Sequence, residues 1–281
     1  MKILAVTGIR SDYDIIYPVL KELEKNHNVM VAVSGAHLSD NFSNTYKLIE
    51  SDNFDIVDKI DTLISTDRTV QRAKGAGLLI QGLSQTVERT DPDILIMLGD
   101  REESIATAIV GNYMEKLVVH IGGGDTVYGN ADDPMRFAVS KLSHLHCCTA
   151  ESYAQNLINI GEEDFRVFFT GNPAFVNIKN TKSISKNKLF KKLRFSNNNY
   201  IVLINHPLSS ELIDTKEQTE LLLSALKIFC LKNNYHTICI PPNSDPGSHD
   251  IKRIINEYDT ESWFVKLETQ PRDIFINLIR N

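Results

Sequence analysis

Residues 94–103 read Ile94-Leu95-Ile96-Met97-Leu98-Gly99-Asp100-Arg101-Glu102-Glu103. The five apolar residues show no alternation, so a strand made from them has both faces buried, as in a parallel sheet covered by helices. Working outward, short apolar runs of the same kind recur at residues 3–6, 29–33, 117–121, 145–148 and 167–169. Helical patterns fill the intervals. Over residues 12–25, Ile15, Ile16, Val19, Leu20 and Leu23 share one face, with Asp12 as the expected N-cap, and residues 66–88 form a longer example. Strand–helix alternation with right-handed crossovers predicts a doubly wound α/β domain.

The chain has 281 residues, 42% of them hydrophobic and 23% charged. That length suits two domains, since each usually holds ~100–150 residues. Over residues 177–199 the composition turns to Lys, Asn and Ser around Leu189, Phe190 and Leu193, which predicts a linker with one short helix. Beyond it, strands at 200–204, 237–240 and 263–267 alternate with helices at 216–232, 249–258 and 272–280. The expected organisation is two Rossmann-like, doubly wound α/β domains, residues 1–176 and 200–281, joined by the 177–199 linker. The second domain is expected to be incomplete, with three strands where such sheets usually have about five or six, leaving Ile274, Phe275 and Leu278 of the last helix uncovered.

No apolar stretch approaches the ~20 residues of a membrane span, and the first strand runs into Arg10 and Asp12 rather than a cleavage site. Four cysteines, two of them adjacent, make no disulfide scaffold. These features predict a cytoplasmic protein without a membrane partner. A net charge of −6 argues against nucleic acid, so any bound phosphate must meet a local cluster of donors.

Ligands of open parallel sheets bind beyond the carboxyl ends of the strands, where helix N-termini aim their amides. There the sequence places Gly8-Ile9-Arg10-Ser11-Asp12, Ser34-Gly35-Ala36-His37, Gly99-Asp100-Arg101, Gly122-Gly123-Gly124-Asp125 followed by Asp132 and Arg136, Asn205-His206-Pro207, and Asn243-Ser244-Asp245. Loops of this kind are polar and glycine-rich in any protein. Six of them together predict a cleft between two sheets that gathers carboxylates (Asp100, Asp125, Asp132), cations (Arg10, Arg101, Arg136) and an imidazole (His206). An arginine beside a helix N-terminus suits a diphosphate, and several carboxylates suit proton transfer or stabilisation of an oxocarbenium-like sugar cation. His144-Leu145-His146-Cys147-Cys148 looks metal-like, but successive strand residues face opposite ways, so buried, hydrogen-bonded residues are expected there and no metal. The glycine run lacks the dinucleotide fingerprint and no Walker sequence is present, so neither NAD nor ATP is expected.

The segments VTGIRSDYD (6–14), SGAHLSDNFSNT (34–45), PDILIMLGDREE (92–103), HIGGGDTVYGNADDPMR (120–136), SKLSHLH (140–146), NHP (205–207) and PNSDPGS (242–248) occur in an order that resembles hydrolysing UDP-N-acetylglucosamine 2-epimerases. That group includes bacterial sialic-acid and legionaminic-acid pathway enzymes and the epimerase half of the human bifunctional enzyme. The resemblance covers residues 1–281 and implies a GT-B-type fold, a UDP-sugar substrate, no cofactor, and a homo-oligomer, dimer or tetramer. It implies anti elimination of UDP to a 2-acetamidoglucal, then addition of water to give N-acetylmannosamine; a 6-deoxy-2,4-diacetamido sugar needs the same chemistry. By motif match, Arg10 and His206 resemble diphosphate ligands, with His206 also grouped among the catalytic residues. Asp100 and Asp132 resemble acid–base or cation-stabilising carboxylates, Asn243 and Asp245 nucleotide contacts, and His37, Arg101 and Arg136 supporting groups on the substrate-binding side.

Two departures carry expectations of their own. Family members often have Glu or His where this chain has Gly122, and Asp125 is expected to cover for that carboxylate. The chain also stops at Asn281, before the place of a Gly-Asn-Ser-Ser motif, so it is expected to be inactive or nearly so as given. Two alternative functions remain open at this level: a GT-B glycosyltransferase, and a truncated sugar-nucleotide-binding remnant without turnover.

Overall fold

The computed structural model describes all residues except 65–67, 69, 128–131, 196–198 and 209. In chain order its elements are β1 (Lys2–Thr7), α1 (Arg10–Leu23), β2 (Asn28–Ser34), α2 (Tyr46–Ser51), β3 (Asp55–Ile60), α3 (Val70–Thr90), β4 (Ile94–Leu98), α4 (Glu102–Tyr113), β5 (Leu117–Ile121), α5 (Asp132–Lys141), β6 (Leu145–Cys148), α6 (Glu151–Asn159), β7 (Val167–Phe169) and α7 (Ala174–Asn180). They continue with α8 (Lys186–Leu193), β8 (Tyr200–Ile204), α9 (Thr215–Asn233), β9 (His236–Ile240), α10 (Ser248–Glu257), β10 (Phe264–Lys266) and α11 (Arg272–Arg280). The chain divides into two compact units, Met1–Asn177 and Ile178–Asn281.

The first unit is a parallel sheet of seven strands in the order β3-β2-β1-β4-β5-β6-β7. Successive residues of β1 serve opposite faces: Ile3 and Ala5 pack with Tyr13, Ile16 and Leu20 of α1, while Leu4 and Val6 pack with Leu79, Leu83 and Val87 of α3. Burying each such side chain contributes roughly 1.5–3 kcal/mol, which fixes the two-sided helix cover. The strand order reverses between β1 and β4, so the loops after these two strands flank the switch point where open sheets bind ligands.

Three details depart from the sequence reading. β3 is a seventh strand, at the sheet edge, whose Asp55 and Lys59 are exposed and whose pairing with β2 shifts register between Val31 and Ala32. Helix α1 begins at Arg10 with Ile9 as its N-cap, so Asp12 lies inside the first turn instead of capping it. Helix α3 is described from Val70, and its expected start at Thr66 lies outside the described residues.

The second unit has a parallel sheet of three strands, β10-β9-β8. The stretch expected to be a linker belongs to this unit's core: Leu189 and Phe190 of α8 are buried with Ile238, Leu267, Ile274 and Leu278. The expectation that Ile274 and Leu278 lie uncovered is thereby corrected, because α8 covers them. Asn277 ties α11 down further, its Oδ1 accepting from the Ile184 N–H at 2.8 Å and its Nδ2 donating to the Lys182 carbonyl at 3.0 Å. Exposed apolar side chains lie instead on α9, at Leu221, Ile228, Phe229 and Leu231. Among the described residues no helix is long and apolar enough to cross a membrane.

Candidate active site

The end of β4 is braced from β5. His120 is wholly buried, and burial lowers its pKa to about 3, so the ring is neutral. Its Nε2 donates to the Gly99 carbonyl, an acceptor only, at 2.8 Å, and its Nδ1 lies 3.1 Å from Ser140 Oγ. The residue after that carbonyl is Asp100. Gly99 itself sits at φ 74, left-handed backbone that a glycine adopts freely at the strand-to-helix turn.

Asp100 is held by Arg136 of α5, whose Nε donates to Oδ2 at 2.9 Å while Nη2 reaches the same oxygen. Burial pushes the Asp100 carboxyl above the usual carboxylate range; Arg136 restrains the shift, and the Asp132 charge adds to it. The same guanidinium turns Nη1 to Asp125, 3.1 Å from its carbonyl and 3.0 Å from Oδ2. Asp132, the first residue of α5, accepts from Arg72 Nη1 at 3.0 Å, and Arg72 Nε donates to Glu102 at 2.6 Å. Arg136 thus joins Asp100 to Asp125, and Arg72 joins Asp132 to Glu102.

The other expected residues divide. Arg10 opens α1 and pairs with Asp14 at 3.2 Å. Arg101 turns toward Glu103 at 3.6 Å and Glu102 at 3.8 Å. His37 is fully buried between Thr7 Oγ1 at 3.1 Å and Thr45 Oγ1 at 2.8 Å, so both ring nitrogens are occupied. Its contacts make it a brace between the end of β1 and the loop after β2. In the second unit the loops after β8 and β9 meet: the Asn243 N–H donates to His206 Nδ1 at 3.2 Å, and Asn243 Nδ2 donates to Asp245 at 2.6 Å.

His144 and His146 each have a structural partner. His144 Nδ1 accepts from the Val118 N–H at 3.1 Å, and His146 Nε2 lies 3.2 Å from Glu162, which also meets Lys141 and Arg166 at 2.7 Å each. Among the described residues no group of three or more His, Cys, Asp or Glu is disposed to hold a metal ion. Sequence reasoning passed over Arg72 and His120. Arg72 lies on a helix side and His120 inside a strand, and a search confined to strand ends reaches neither.

His37 and His120, two of the three buried histidines among the described residues, make pH-dependent contributions to stability. Burial lowers both pKa values from 6.5 to about 3. Below 6.5 these two side chains bind protons in the unfolded chain that they refuse in the folded one, so their contribution to stability is full above that pH and declines as pH falls toward about 3. Asp12, whose carboxyl burial pushes up to about 7, contributes with the opposite sign, so the check is a difference: between neutral pH and ~4.5 the parent should lose more melting temperature than His37→Gln. Equal slopes for parent and variant would place the titration elsewhere.

A family profile described as UDP-N-acetylglucosamine 2-epimerase matches residues 21–281. The UDP-N,N'-diacetylbacillosamine 2-epimerase (hydrolyzing) of Legionella pneumophila is 34% identical over 260 residues, which are 92% of this chain and 68% of that protein. A GDP/UDP-N,N'-diacetylbacillosamine 2-epimerase (hydrolyzing) of Campylobacter jejuni is likewise 34% identical, over 92% of this chain and 67% of its own length. In fold, the chain is similar to the UDP-GlcNAc 2-epimerase of Neisseria meningitidis bound to UDP-GlcNAc, with TM-score 0.79 and 20% identity over 99% of this chain and 75% of that one. The Methanocaldococcus jannaschii enzyme in complex with UDP-GlcNAc and UDP gives TM-score 0.81 at 16% identity over 100% of this chain and 77% of that one.

Proposed function

This chain belongs to the UDP-N-acetylglucosamine 2-epimerase family of enzymes, and from that membership and the strand-end carboxylates we propose that it is a hydrolysing 2-epimerase acting on a UDP-2-acetamido sugar. In the first half-reaction a carboxylate takes the proton from sugar C2 while the C1–O bond to the diphosphate breaks on the opposite face, giving UDP and a 2-acetamidoglucal. In the second, water adds to C1 and a proton returns to C2 from the other side, giving the free 2-epimer. Each half needs a positioned proton carrier and stabilisation of a sugar cation.

The observation that supports these roles is the mutual arrangement of Asp100 and Asp132. Each is held by its own arginine, and Asp132 is near enough for its charge to raise the Asp100 pKa. A carboxyl whose proton affinity is raised, with a second carboxylate beside it, suits acid–base work. Arg10 at the α1 N-terminus and His206 serve the diphosphate, and Asn243 and Asp245 the nucleotide. Arg136 and Arg72 keep the two carboxylates in place, and Arg101 supports the site beside them through Glu102 and Glu103. Because the two relatives at 34% identity are named for the diacetamido sugar, that substrate is a second reading beside UDP-N-acetylglucosamine.

Incubation with each sugar nucleotide in D2O tests the reading. UDP and a free sugar of inverted C2 configuration are expected, with one deuterium at C2. Release of a sugar unlabelled at C2 would mean simple hydrolysis, and UDP release only when an acceptor is added would mean glycosyl transfer.

A further inference from the structure

The loop after β5 runs through three consecutive glycines, Gly122-Gly123-Gly124, before it reaches Asp125. A glycine run has wide backbone freedom, so something outside it has to fix the residue that follows. Two walls confine the loop. A Cβ on Gly123 would lie 2.8 Å from Ser140 Oγ of α5 and 2.9 Å from His120 Nδ1, and a Cβ on Gly124 would lie 2.1 Å from the Tyr153 carbonyl oxygen of α6. Two side chains then anchor consecutive carbonyls. Asn156 of α6 donates from Nδ2 to the Gly124 carbonyl at 2.9 Å, and Arg136 donates from Nη1 to the Asp125 carbonyl at 3.1 Å. A carbonyl only accepts, so Asn156 has to face it with its NH2 group. Because each peptide is planar, the first anchor orients the plane that enters Asp125 and the second the plane that leaves it. With both held, the backbone of Asp125 is set, and its Oδ2 meets Arg136 Nη1 at 3.0 Å.

We propose that Asn156 is a positioning residue of this site: by holding the Gly124 carbonyl it fixes Asp125 as a third carboxylate that faces the sugar. The proposal rests on the epimerase reading above. Asp125 is the most open of the three carboxylates, its side chain 37% exposed against 28% for Asp132 and 13% for Asp100. Arg136 Nε also holds Asp100 at 2.9 Å, so one guanidinium ties Asp125 and Asp100 together, and a turn of the loop changes how they stand to each other. Without Asn156 the entering peptide loses its anchor while the glycines keep their freedom. A carboxylate displaced by ~1 Å from a developing charge still allows binding but stabilises the transition state less, so the loss falls on kcat.

The test uses the 281-residue chain carrying Asn156→Leu, which keeps the branching and removes the donor, Asn156→His, which keeps an N–H, Asp125→Asn, or Asp125→Asn with Asn156→Leu. Hydrogen exchange reads the anchor at two amides that bracket the loop: Gly122, bonded to the Cys147 carbonyl at 2.9 Å, and Val127, bonded to Asp133 Oδ1 at 3.0 Å. Both are expected to exchange about 10-fold faster in Asn156→Leu, with the amides of β5 unchanged and parental rates largely restored in Asn156→His. In UDP release, Asn156→Leu is expected to lower kcat about 10-fold with KM within about 3-fold. Asp125→Asn should cost at least as much, and adding Asn156→Leu to it should cost nothing further, since Asn156 acts through that carboxylate. Unchanged exchange at both amides in Asn156→Leu overturns the proposal, as do losses in kcat that multiply in the double variant, which would make Asn156 a general support of α6. Failure of the epimerase reading looks different: no UDP appears from either sugar nucleotide with the parent, or Asp100→Asn keeps parental activity. The role toward the sugar then falls with that reading, and the exchange rates still decide whether Asn156 holds the loop.

Discussion

Asp100→Asn is expected to slow UDP release by ~10²–10⁴-fold, the usual loss when an acid–base group is removed, while KM changes by a few-fold at most. The side chain is isosteric, and its remaining oxygen can still accept from Arg136 Nε, now 2.9 Å from Oδ2. Arg136 also keeps its two contacts with Asp125. The scaffold therefore stays, and only the charge and its proton are lost. Charge placed where the sugar cation develops contributes to the transition state more than to the bound substrate, so the loss falls on kcat. Asp132→Asn should behave alike, because Arg72 Nη1 keeps a carbonyl oxygen to donate to at 3.0 Å. Steady-state kinetics with an unchanged circular-dichroism spectrum checks both. Turnover within a few-fold of the parent for the pair would remove them from the reaction.

What could be read from sequence depended on whether a residue's role is set along the chain or across it. The runs Ile94–Leu98 and Leu117–Ile121 form strands with the expected limits, because each is an apolar run, broken only by the hydrogen-bonded His120, that ends at a glycine. β3 escaped notice because an edge strand needs only part of its surface covered, and Asp55, Asp58 and Lys59 break its apolar pattern. Helix α8 was expected as a short linker helix, but its place in the core was not: its Leu189 and Phe190 stand among lysines, and only the partner α11 shows what they bury against.

The site divides in the same way. Asp100, Asp125, Asp132 and Arg136 follow strands, where chain order alone assigns a position at the sheet edge. Arg72 projects from a helix side, and what it reaches depends on how α3 packs. His37 follows a strand too, but the depth of its burial between two threonines made it a brace. Position was legible at that residue, and role was not.

The β1–α1 turn carries the last expectation. Gly8→Ala should destabilise the first unit by about 3 kcal/mol, the upper end for inserting one methyl group into a filled site. A Cβ at Gly8 would lie 1.7 Å from Glu103 Oε1, 2.1 Å from its Cδ and 2.7 Å from its Cγ, so the whole end of that side chain has to move. Little room receives it. Glu103 is buried, and the same carboxylate oxygen would lie 2.9 Å from a Cβ on Gly35 and is 3.4 Å from Ser34 Oγ. Moving it also disturbs Arg101, whose Nε is 3.6 Å from the other carboxylate oxygen. For a unit of this size, each kcal/mol shifts the melting temperature by roughly 2–4 °C, so a drop of about 6–12 °C should be seen. The cause can be isolated by shortening the other partner. Burial already pushes the Glu103 carboxyl above its usual range, a sign that its ionised form is poorly solvated there, so Glu103→Ala alone should cost less than Gly8→Ala. With both changes the new methyl group occupies space the glutamate has left, and most of the lost melting temperature should return. Losses that simply add in the double variant would mean that the turn rejects a side chain at Gly8 for a reason other than Glu103.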